Sequence, residues 1–429
     1  MREFLMGRTL AGFALLPALC ASPPPKETTV AMIEEQGEAR RWWPRWRGPS
    51  GQGLVDGGGY PYRWSDQENL LWKVPLPGAG NSSPIVWRDR ILLTTAYEGG
   101  ARRSILCLRR ADGKPLWETF VPAAAPERAN RKNGHASSTP STDGERVYAY
   151  LGSHGVLCLD MDGRQVWHQS FGGIDAYHGT ACSPLLYKDR VILYQDQQGT
   201  PSRSFITALD KRTGKLLWTT PREARVGWGS PIAIRAGDRD EIVASGMLRV
   251  HAYDPASGAP LWSVDGNLFE VIPTPAAGLG LLFCSSGRAG PTLAIRPGGS
   301  GDVSRTHIAW QSSKGSPFVP SPLLYGDYLY MVNDMMSIAT CYEARTGRLM
   351  WQERLTEPRR ESFSASPVGV DGKVFFTNDD GDTFVLAAGP VFRLLHVNRF
   401  AERTLASPAL VEGRWYFRTD RHLWAIGGK

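Results

Sequence analysis

The feature that most constrains the fold of this chain is an internal repeat. A small hydroxyl residue followed by proline recurs at eight regularly spaced positions, where successive prolines lie 41 to 56 residues apart, about 46 on average. The eight pairs are Ser83-Pro84, Thr139-Pro140, Ser183-Pro184, Ser230-Pro231, Thr274-Pro275, Ser321-Pro322, Ser366-Pro367 and Ser407-Pro408. Five periods also carry a Gly-x-x-x-Trp pattern, as from Gly214 to Trp218. Recurrence at this spacing is typical of solenoids, arrays and propellers.

Each period contains four short apolar runs separated by turn residues. In the third period these runs are Leu185–Tyr187, Val191–Gln195, Ser204–Leu209 and Leu216–Thr219. The separators Lys188-Asp189 and Arg212-Thr213-Gly214 are typical of tight hairpins. Four antiparallel strands in about 45 residues make one propeller blade. The sequence therefore predicts an all-β fold, an eight-bladed β-propeller of four-stranded antiparallel blades.

The two ends of the repeat complement each other. The last period supplies three strands between Pro408 and Ile426, and the run Leu70–Val74 supplies a fourth at the beginning. Pairing these segments closes the ring and removes an exposed sheet edge. We therefore predict a signal peptide over residues 1–21, a Pro/Trp/Arg-rich linker and strap over 22–64, and the propeller over 65–429.

The segment Ala208–Trp218 reads Ala-Leu-Asp-Lys-Arg-Thr-Gly-Lys-Leu-Leu-Trp and resembles the pyrroloquinoline quinone (PQQ) propeller repeat. That repeat occurs in quinoprotein dehydrogenases and in BamB, the lipoprotein of the outer-membrane assembly complex. Together with the motif Trp43–Pro49, the chain resembles the BamB-like group of exported bacterial proteins. The resemblance implies a non-catalytic scaffold that binds an envelope protein or an extended polymer, although a fold alone does not define a reaction.

The same resemblance implies an alternative, a PQQ-dependent quinoprotein dehydrogenase acting on alcohols or sugars. The alcohol dehydrogenases of that class hold PQQ beside two adjacent disulfide-linked cysteines, with a calcium ion bound by carboxylates and an amide. This chain has six cysteines, and no two of them are adjacent. We therefore favour the scaffold and expect no cofactor, so that PQQ and Ca²⁺ belong only to the alternative.

The cysteines also bear on metal binding. Five follow the predicted signal peptide, an odd number without a Cys-x-x-Cys pair, which disfavours a zinc site or a disulfide framework. Cys107, Cys158 and Cys341 lie nine or ten residues before a repeat tryptophan. We expect them to be small buried packing residues, and we expect no metal site.

The N-terminus has the pattern of an export signal. A positively charged start precedes the apolar stretch Leu10–Leu19, and Ala21-Ser22 offers small residues for cleavage. No apolar run reaches the roughly 18 residues of a membrane-spanning helix. We expect a periplasmic or otherwise exported protein without a transmembrane segment. Lipid anchoring at Cys20 is a disfavoured alternative, because leucine precedes that cysteine.

The segment Arg40–Arg47 alternates cations with aromatic residues, as single-stranded nucleic-acid platforms do. Predicted export argues against nucleic acid as a partner, and the net charge of +7 arises from charges of both signs along the whole chain. We expect this segment to cross the propeller rim as a strap, with arginine stacked on tryptophan. A monomer is expected outside any complex.

Propeller geometry assigns the connections between blades, and the loops between strands two and three, to one face, called here the funnel face. These loops are longer and chemically richer than the turns of the opposite face, and binding sites gather on such loops. The predicted ligand-binding residues are His135, His178, Asp196, Trp228, Arg288, Asp334 and Asp379. Their mixture of imidazole, indole, carboxylate and guanidinium groups suits a polar ligand, such as a sugar or a peptide carboxylate.

Overall fold

The computed structural model describes residues 29–122, 127–224, 227–286, 290–358 and 362–428. These residues form eight four-stranded antiparallel blades, which confirms the predicted eight-bladed β-propeller. The strands of blades one to four are Ile85–Trp87, Arg90–Tyr97, Arg102–Arg109 and Pro115–Pro122; Ser141–Thr142, Arg146–Tyr150, Val156–Asp160 and Gln165–Gln169; Leu185–Tyr187, Arg190–Gln195, Phe205–Asp210 and Leu216–Pro221; and Ile232–Ala236, Arg239–Ser245, Arg249–Tyr253 and Pro260–Asp265.

The remaining blades follow in chain order. The strands of blades five to eight are Ala276–Gly278, Leu281–Ser285, Thr292–Ile295 and Ile308–Ser312; Leu323–Tyr325, Tyr328–Asn333, Ile338–Glu343 and Arg348–Arg354; Val368–Val370, Lys373–Thr377, Asp382–Ala387 and Leu394–Arg399; and Ala409–Val411, Arg414–Arg418, His422–Ile426 and Leu70–Pro75. The last of these strands pairs antiparallel with His422–Ile426, so the N-terminal strand closes the ring as predicted.

The repeat tryptophans join neighbouring blades. At six junctions the indole N–H of the outer strand donates to a carbonyl of the next blade, as Trp167 Nε1 does to Lys211 O at 3.0 Å. The Trp167 ring lies over Gly214, where a Cβ would come within 2.6 Å of the indole. Gly214 also has a φ of +72°, which favours glycine. The Gly-x-x-x-Trp pattern therefore supplies both sides of a blade junction.

Blade four carries two additional strands. Val30–Met32 pairs with its inner strand, and Gly301–Asp302, from a loop of blade five, pairs parallel with its outer strand. The same loop contains the helical turn Ser304–His307. Four 3₁₀ turns also occur, at Gly37–Arg41, Glu98–Gly100, Gly152–His154 and Pro201–Arg203. Among the residues described, no helix has the length and apolarity needed to cross a bilayer.

The N-terminal segment lies inside the ring. Besides the pairing of Val30–Met32, Trp43 forms a β-bridge with Val86 of blade one, and Leu54 forms one with Gly369 of blade seven. All three partners belong to innermost strands. The pairings of this segment therefore lie on the channel side of the ring, at the innermost strands, whereas a strap across the rim was predicted. We call residues 29–56 the plug.

Buried polar groups of the plug anchor it to further blades. Arg47 donates to a carbonyl of blade six at 2.9 Å, and the Gln52 amide oxygen accepts a backbone N–H of blade five at 2.8 Å. The predicted arginine–tryptophan contacts are present, since Arg41 and Arg110 lie 5.7 and 5.4 Å from the Trp42 ring. The plug is thus held by hydrogen bonds and aromatic contacts along the whole channel.

The plug closes the channel at the face of the short hairpin turns, called here the turn face. Glu38 of the plug pairs with Arg88, in the first turn of blade one, at 2.7 Å. The chain then leaves the channel, and Trp64 packs between blades seven and eight against Phe375 and Trp415. The opposite end of the channel, at the funnel face, is not covered by these residues.

The cysteines occupy packing positions. Cys107, Cys158, Cys182, Cys284 and Cys341 are free and buried. Burial raises the pKa of Cys107 to about 12, so its thiol stays protonated and unreactive at neutral pH. The prediction of small buried packing residues is confirmed.

Candidate functional site

A cavity of about 180 Å³ lies on the propeller axis at the funnel-face end of the channel. Trp46 of the plug contributes to its lining, and the Trp46 indole N–H donates to Thr274 Oγ1 at 3.3 Å. The remaining lining comes from every blade of the ring. Besides the repeat residues, its polar lining side chains are Asn81, Asn130, Lys132, Asn133, Ser137, His178, Trp228, Glu270 and Ser364.

The eight hydroxyl residues of the repeat, Ser83, Thr139, Ser183, Ser230, Thr274, Ser321, Ser366 and Ser407, all line this cavity. We call them the hydroxyl ring. At seven junctions the backbone N–H of one member donates to the side-chain oxygen of the member in the next blade, at 2.9 to 3.1 Å. A small hydroxyl residue is needed because each inner strand presents one N–H that only its neighbour can reach.

The eighth junction, between blades eight and one, is built differently. Arg418 is buried there, and its Nη1 donates to Ser82 O, Ser82 Oγ and Thr94 O. Burial lowers the pKa of Arg418 to about 10. Ser83 Oγ has no hydrogen-bond partner among the described residues. The ring therefore has one irregular position, where the N-terminal and C-terminal parts of the propeller meet.

An ion pair and a buried carboxylate support one side of the cavity. Lys132 Nζ lies 2.9 Å from Asp379 Oδ2, and both side chains are largely buried. Burial raises the pKa of Asp379, although Lys132 opposes this shift. Asp334 is fully buried, accepts the backbone N–H of Phe318 at 2.9 Å, and has its pKa raised by burial to about 6. Asp334 therefore orients a lining segment from behind the cavity.

Two of the predicted site residues, His178 and Trp228, line the cavity itself. The His178 ring lies 3.0 Å from the Asn130 amide nitrogen and 5.9 Å, centroid to centroid, from the Trp228 ring. Trp228 Nε1 donates to Gly179 O at 2.7 Å. The connection between blades two and three is thus fixed against the following blade, and it presents imidazole and indole groups to the cavity.

The other predicted residues lie elsewhere. His135 contacts Arg103, and burial together with that guanidinium lowers the pKa of His135 and favours the neutral ring. Asp196 is fully buried and forms a bidentate ion pair with Arg222 at 2.8 and 3.3 Å. Neither His135 nor Asp196 is among the residues that line the axial cavity. Arg288 lies outside the described residues.

Apolar side chains are exposed on loops of the funnel face. We call this set the lip: Tyr177, Leu248, Leu268, Phe269, Met335 and Met336, which are 38 to 63% exposed. Leu248 N lies 3.4 Å from Leu268 O, so the loops that carry them are adjacent. Phe269 is the most exposed member at 63% and directly precedes Glu270 of the cavity lining. The funnel face therefore combines a polar cavity with an apolar border.

Sequence reasoning did not identify Trp46, Lys132, Asn81 or the hydroxyl ring as parts of a site. The hydroxyl residues were visible as a repeat mark, and their regular spacing was the signal that they meet at the axis. Trp46 carried no such signal, because its contacts are with blades more than 200 residues away in the chain.

A protein-family model described as outer membrane protein assembly factor BamB matches residues 63–221, 102–335 and 202–426 of the chain. These overlapping matches together cover almost the whole propeller. They agree with the repeat pattern and with the eight blades of the structure.

Solved structures share the architecture. BamB from Moraxella catarrhalis superposes with a TM-score of 0.59 and 15% identity, covering 84% of this chain and 97% of that one. A europium-containing methanol dehydrogenase superposes with a TM-score of 0.65 and 10% identity, covering 91% of this chain and 98% of that one. At these identities the similarity concerns the fold alone.

One curated relative is similar in sequence. The tetrathionate hydrolase of Acidithiobacillus ferrooxidans is 20% identical over 328 residues, which is 73% of this chain. The chain spans about half, 53%, of the length of that relative. The activity in its name therefore describes that longer protein.

Proposed function

Because the chain belongs to the outer membrane protein assembly factor BamB family, we propose that it is an exported, non-catalytic scaffold that binds an envelope protein on its funnel face. The observation that carries this proposal is the lip, which gathers exposed apolar side chains on one face. Clustered apolar side chains at a polar border are typical of protein-binding surfaces. An extended polymer on the same face is the second class of ligand that the family resemblance allows.

The turn face offers a different surface. Its contacts with the plug are ion pairs between exposed groups, such as Glu38 with Arg88 and Arg41 with Glu412. Exposed ion pairs contribute little binding energy, about 0–1 kcal/mol each. Aromatic and methionine side chains, by contrast, are enriched at interface centres. This contrast supports the funnel face, with Phe269 at its lip, as the working surface.

The proposal involves no PQQ. A calcium-dependent quinone site needs several carboxylates, and Glu270 is the one carboxylate among the described lining residues. Asp334 already accepts a hydrogen bond from the backbone N–H of Phe318, and Asp379 is paired with Lys132. Among the residues described, no group of three or more His, Cys, Asp or Glu is placed to hold a metal ion. This lining supports the proposal of a scaffold without PQQ.

Export is part of the proposal and rests on the N-terminal sequence, in which the apolar stretch Leu10–Leu19 precedes small residues. The predicted signal peptide and Cys20 lie outside the described residues. Fractionation of the native cells, with sizing and lipid labelling of the mature chain, tests this part. The proposal expects cleavage after residue 21 and no acyl group on Cys20.

Affinity purification from crosslinked native envelopes, followed by mass spectrometry, tests the binding function. We expect one envelope protein to be recovered with the wild type and to be lost with Phe269→Ser/Met336→Ser. Val391→Ser is the matched control, because Val391 is 72% exposed in a turn-face hairpin of blade seven. Equal recovery with all three proteins would contradict the proposal.

A second measurement addresses the dehydrogenase alternative. The purified protein is incubated with PQQ and Ca²⁺ and assayed for dye-linked oxidation of alcohols and sugars. We expect neither the absorbance of bound PQQ nor turnover. Turnover that Asp334→Asn abolishes would replace the scaffold proposal with an enzymatic one.

A further inference from the structure

The hydroxyl ring is a set of unused hydrogen-bond donors at the axis. Seven of its oxygens accept a backbone N–H, yet among the described residues no ring hydroxyl donates to a protein acceptor. Each member is at most 6% exposed. A buried hydroxyl left without an acceptor costs about 1–3 kcal/mol. A cavity bordered by eight such groups is built to receive a molecule that accepts hydrogen bonds.

We propose that the axial cavity binds a single sugar residue, either free or as one unit of a glycan. This inference goes beyond the scaffold function, because it concerns the cavity floor and walls and does not use the lip. Its first support is size. A cavity of about 150 Å³ accommodates one benzene ring, so about 180 Å³ suits one six-membered ring with its substituents.

The polar chemistry of the walls favours a neutral, hydroxylated ligand. Sugar hydroxyls both donate and accept, which matches ring donors together with acceptors such as Asn133 Oδ1, a buried oxygen without a partner among the described residues. The Lys132 ammonium on the same wall is already paired with Asp379, which leaves less positive charge for an anionic ligand. The combination of donors and acceptors on the walls therefore matches the hydroxyl groups of a sugar.

Apolar groups complete the site. Trp46 and Trp228 line the cavity together with Ile272 and Leu405. Ligand pockets for small molecules combine a largely apolar lining with a few convergent polar groups. The C–H surfaces of a pyranose can pack on these side chains while its hydroxyls reach the ring.

The test measures binding of glucose, galactose and N-acetylglucosamine to the full protein by ligand-observed NMR and calorimetry. We expect at least one of them to bind with a Kd of about 1 mM or tighter, a range normal for single small ligands. Acetate and inorganic phosphate are the anionic comparison probes. Absence of binding by all three sugars, or binding of the anions alone, would overturn the proposal without any variant.

The variant Ser183→Thr/Ser366→Thr locates the site. Threonine already stands at ring positions 139 and 274, so the acceptor oxygen is kept while each new methyl group reduces the cavity. We expect sugar affinity to fall about tenfold or more, since overpacking by a methylene costs about 1–3 kcal/mol. Ser257→Thr is the matched control, because Ser257 lies in a turn-face hairpin where blade three carries Thr213.

These experiments can refute either proposal without refuting the other. Recovery of the envelope partner is expected to be unchanged in Ser183→Thr/Ser366→Thr, and sugar binding is expected to be unchanged in Phe269→Ser/Met336→Ser. Sugar binding that survives the ring variant at wild-type affinity would place the sugar outside the cavity and overturn the inference.

Discussion

The two ends of the channel are built from the same eight inner strands and have opposite properties. Towards the turn face the plug fills the space, with Trp43 only 1% exposed. At the funnel face the same strands begin with the hydroxyl ring, whose hydrogens have no described protein acceptor, and the lip exposes apolar side chains. The difference separates stability from binding. Substitutions at the plug should unfold the protein, and substitutions at the funnel face should change what it binds.

The largest effect is expected from Trp43→Ala. Trp43 packs in the core between the plug and blade one, and its ring lies against Gly48, where a Cβ would come within 2.5 Å. Loss of a buried tryptophan typically costs about 3–5 kcal/mol. Urea unfolding followed by tryptophan fluorescence and circular dichroism measures this cost. A change below about 1 kcal/mol would show that the plug is dispensable and would remove the contrast between the two ends.

The second prediction concerns pH. Burial raises the pKa of Asp334 to about 6 in the folded protein, against about 3.9 in an unfolded chain. Between pH 4 and pH 6 the folded state therefore binds more protons at Asp334 than the unfolded state does. As the pH rises through this window, Asp334 lowers the free energy of unfolding by about 3 kcal/mol. The Asp334→Asn side chain does not titrate, so this pH dependence is absent from the variant. Relative to the wild type, the variant should gain about that amount on going from pH 4 to pH 7.

Urea unfolding of both proteins at pH 4, 5, 6 and 7 measures this difference, which isolates Asp334 from every other titrating group. A difference between variant and wild type that stays constant with pH would mean that Asp334 is solvated. The wall of the cavity that contains Phe318 would then be less rigid than the hydrogen bond from its N–H indicates.

The third prediction tests the hydroxyl ring, which lies at the funnel-face end of the channel. Ser366→Ala removes the oxygen that accepts the backbone N–H of Ser321 at 3.0 Å. The unpartnered buried N–H should cost about 1–3 kcal/mol of stability. Ser407→Ala should cost a similar amount, whereas Ser83→Ala should cost less, because Ser83 Oγ accepts no hydrogen bond in the structure. Equal losses at all three positions would show that the ring is regular at every junction.

The smallest effect on stability is expected from Phe269→Ser. Phe269 is 63% exposed, and substitutions at exposed positions usually change stability by less than about 0.5 kcal/mol. Its effect on binding should be far larger, since exposed aromatic residues at the centre of an interface can contribute 2 kcal/mol or more, about a thirtyfold change in affinity. Thermal melting and partner affinity, measured on the same preparation, separate the two quantities. A large fall in melting temperature would assign Phe269 to packing.

The fold followed from the sequence because a propeller repeats its local chemistry. Each repeat proline directly precedes an inner strand, and each Gly-x-x-x-Trp pattern supplies a junction. The eight periods therefore predicted both the architecture and its closure by Leu70–Pro75. The plug could not be predicted in this way. Residues such as Trp46 and Arg47 stand outside the repeat, and their partners are more than 200 residues away in the chain.

The candidate site was predicted in part. Two of the residues that loop chemistry selected, His178 and Trp228, line the cavity. The same reasoning selected Asp196, whose carboxylate is paired with Arg222 and fully buried. Residue type and loop position cannot distinguish a carboxylate that faces a ligand from one that is buried in an ion pair. That distinction depends on where a guanidinium 26 residues later in the chain is placed.

Site-specific photocrosslinking in native envelopes tests the central claim most directly, by placing a photoreactive phenylalanine at position 269 of the lip and, separately, at position 391 of the turn face. Both side chains are well exposed, at 63 and 72%. The account predicts a discrete crosslinked envelope protein from position 269 and none from position 391. Crosslinking from position 391 alone, or equally from both positions, would contradict the assignment of binding to the funnel face.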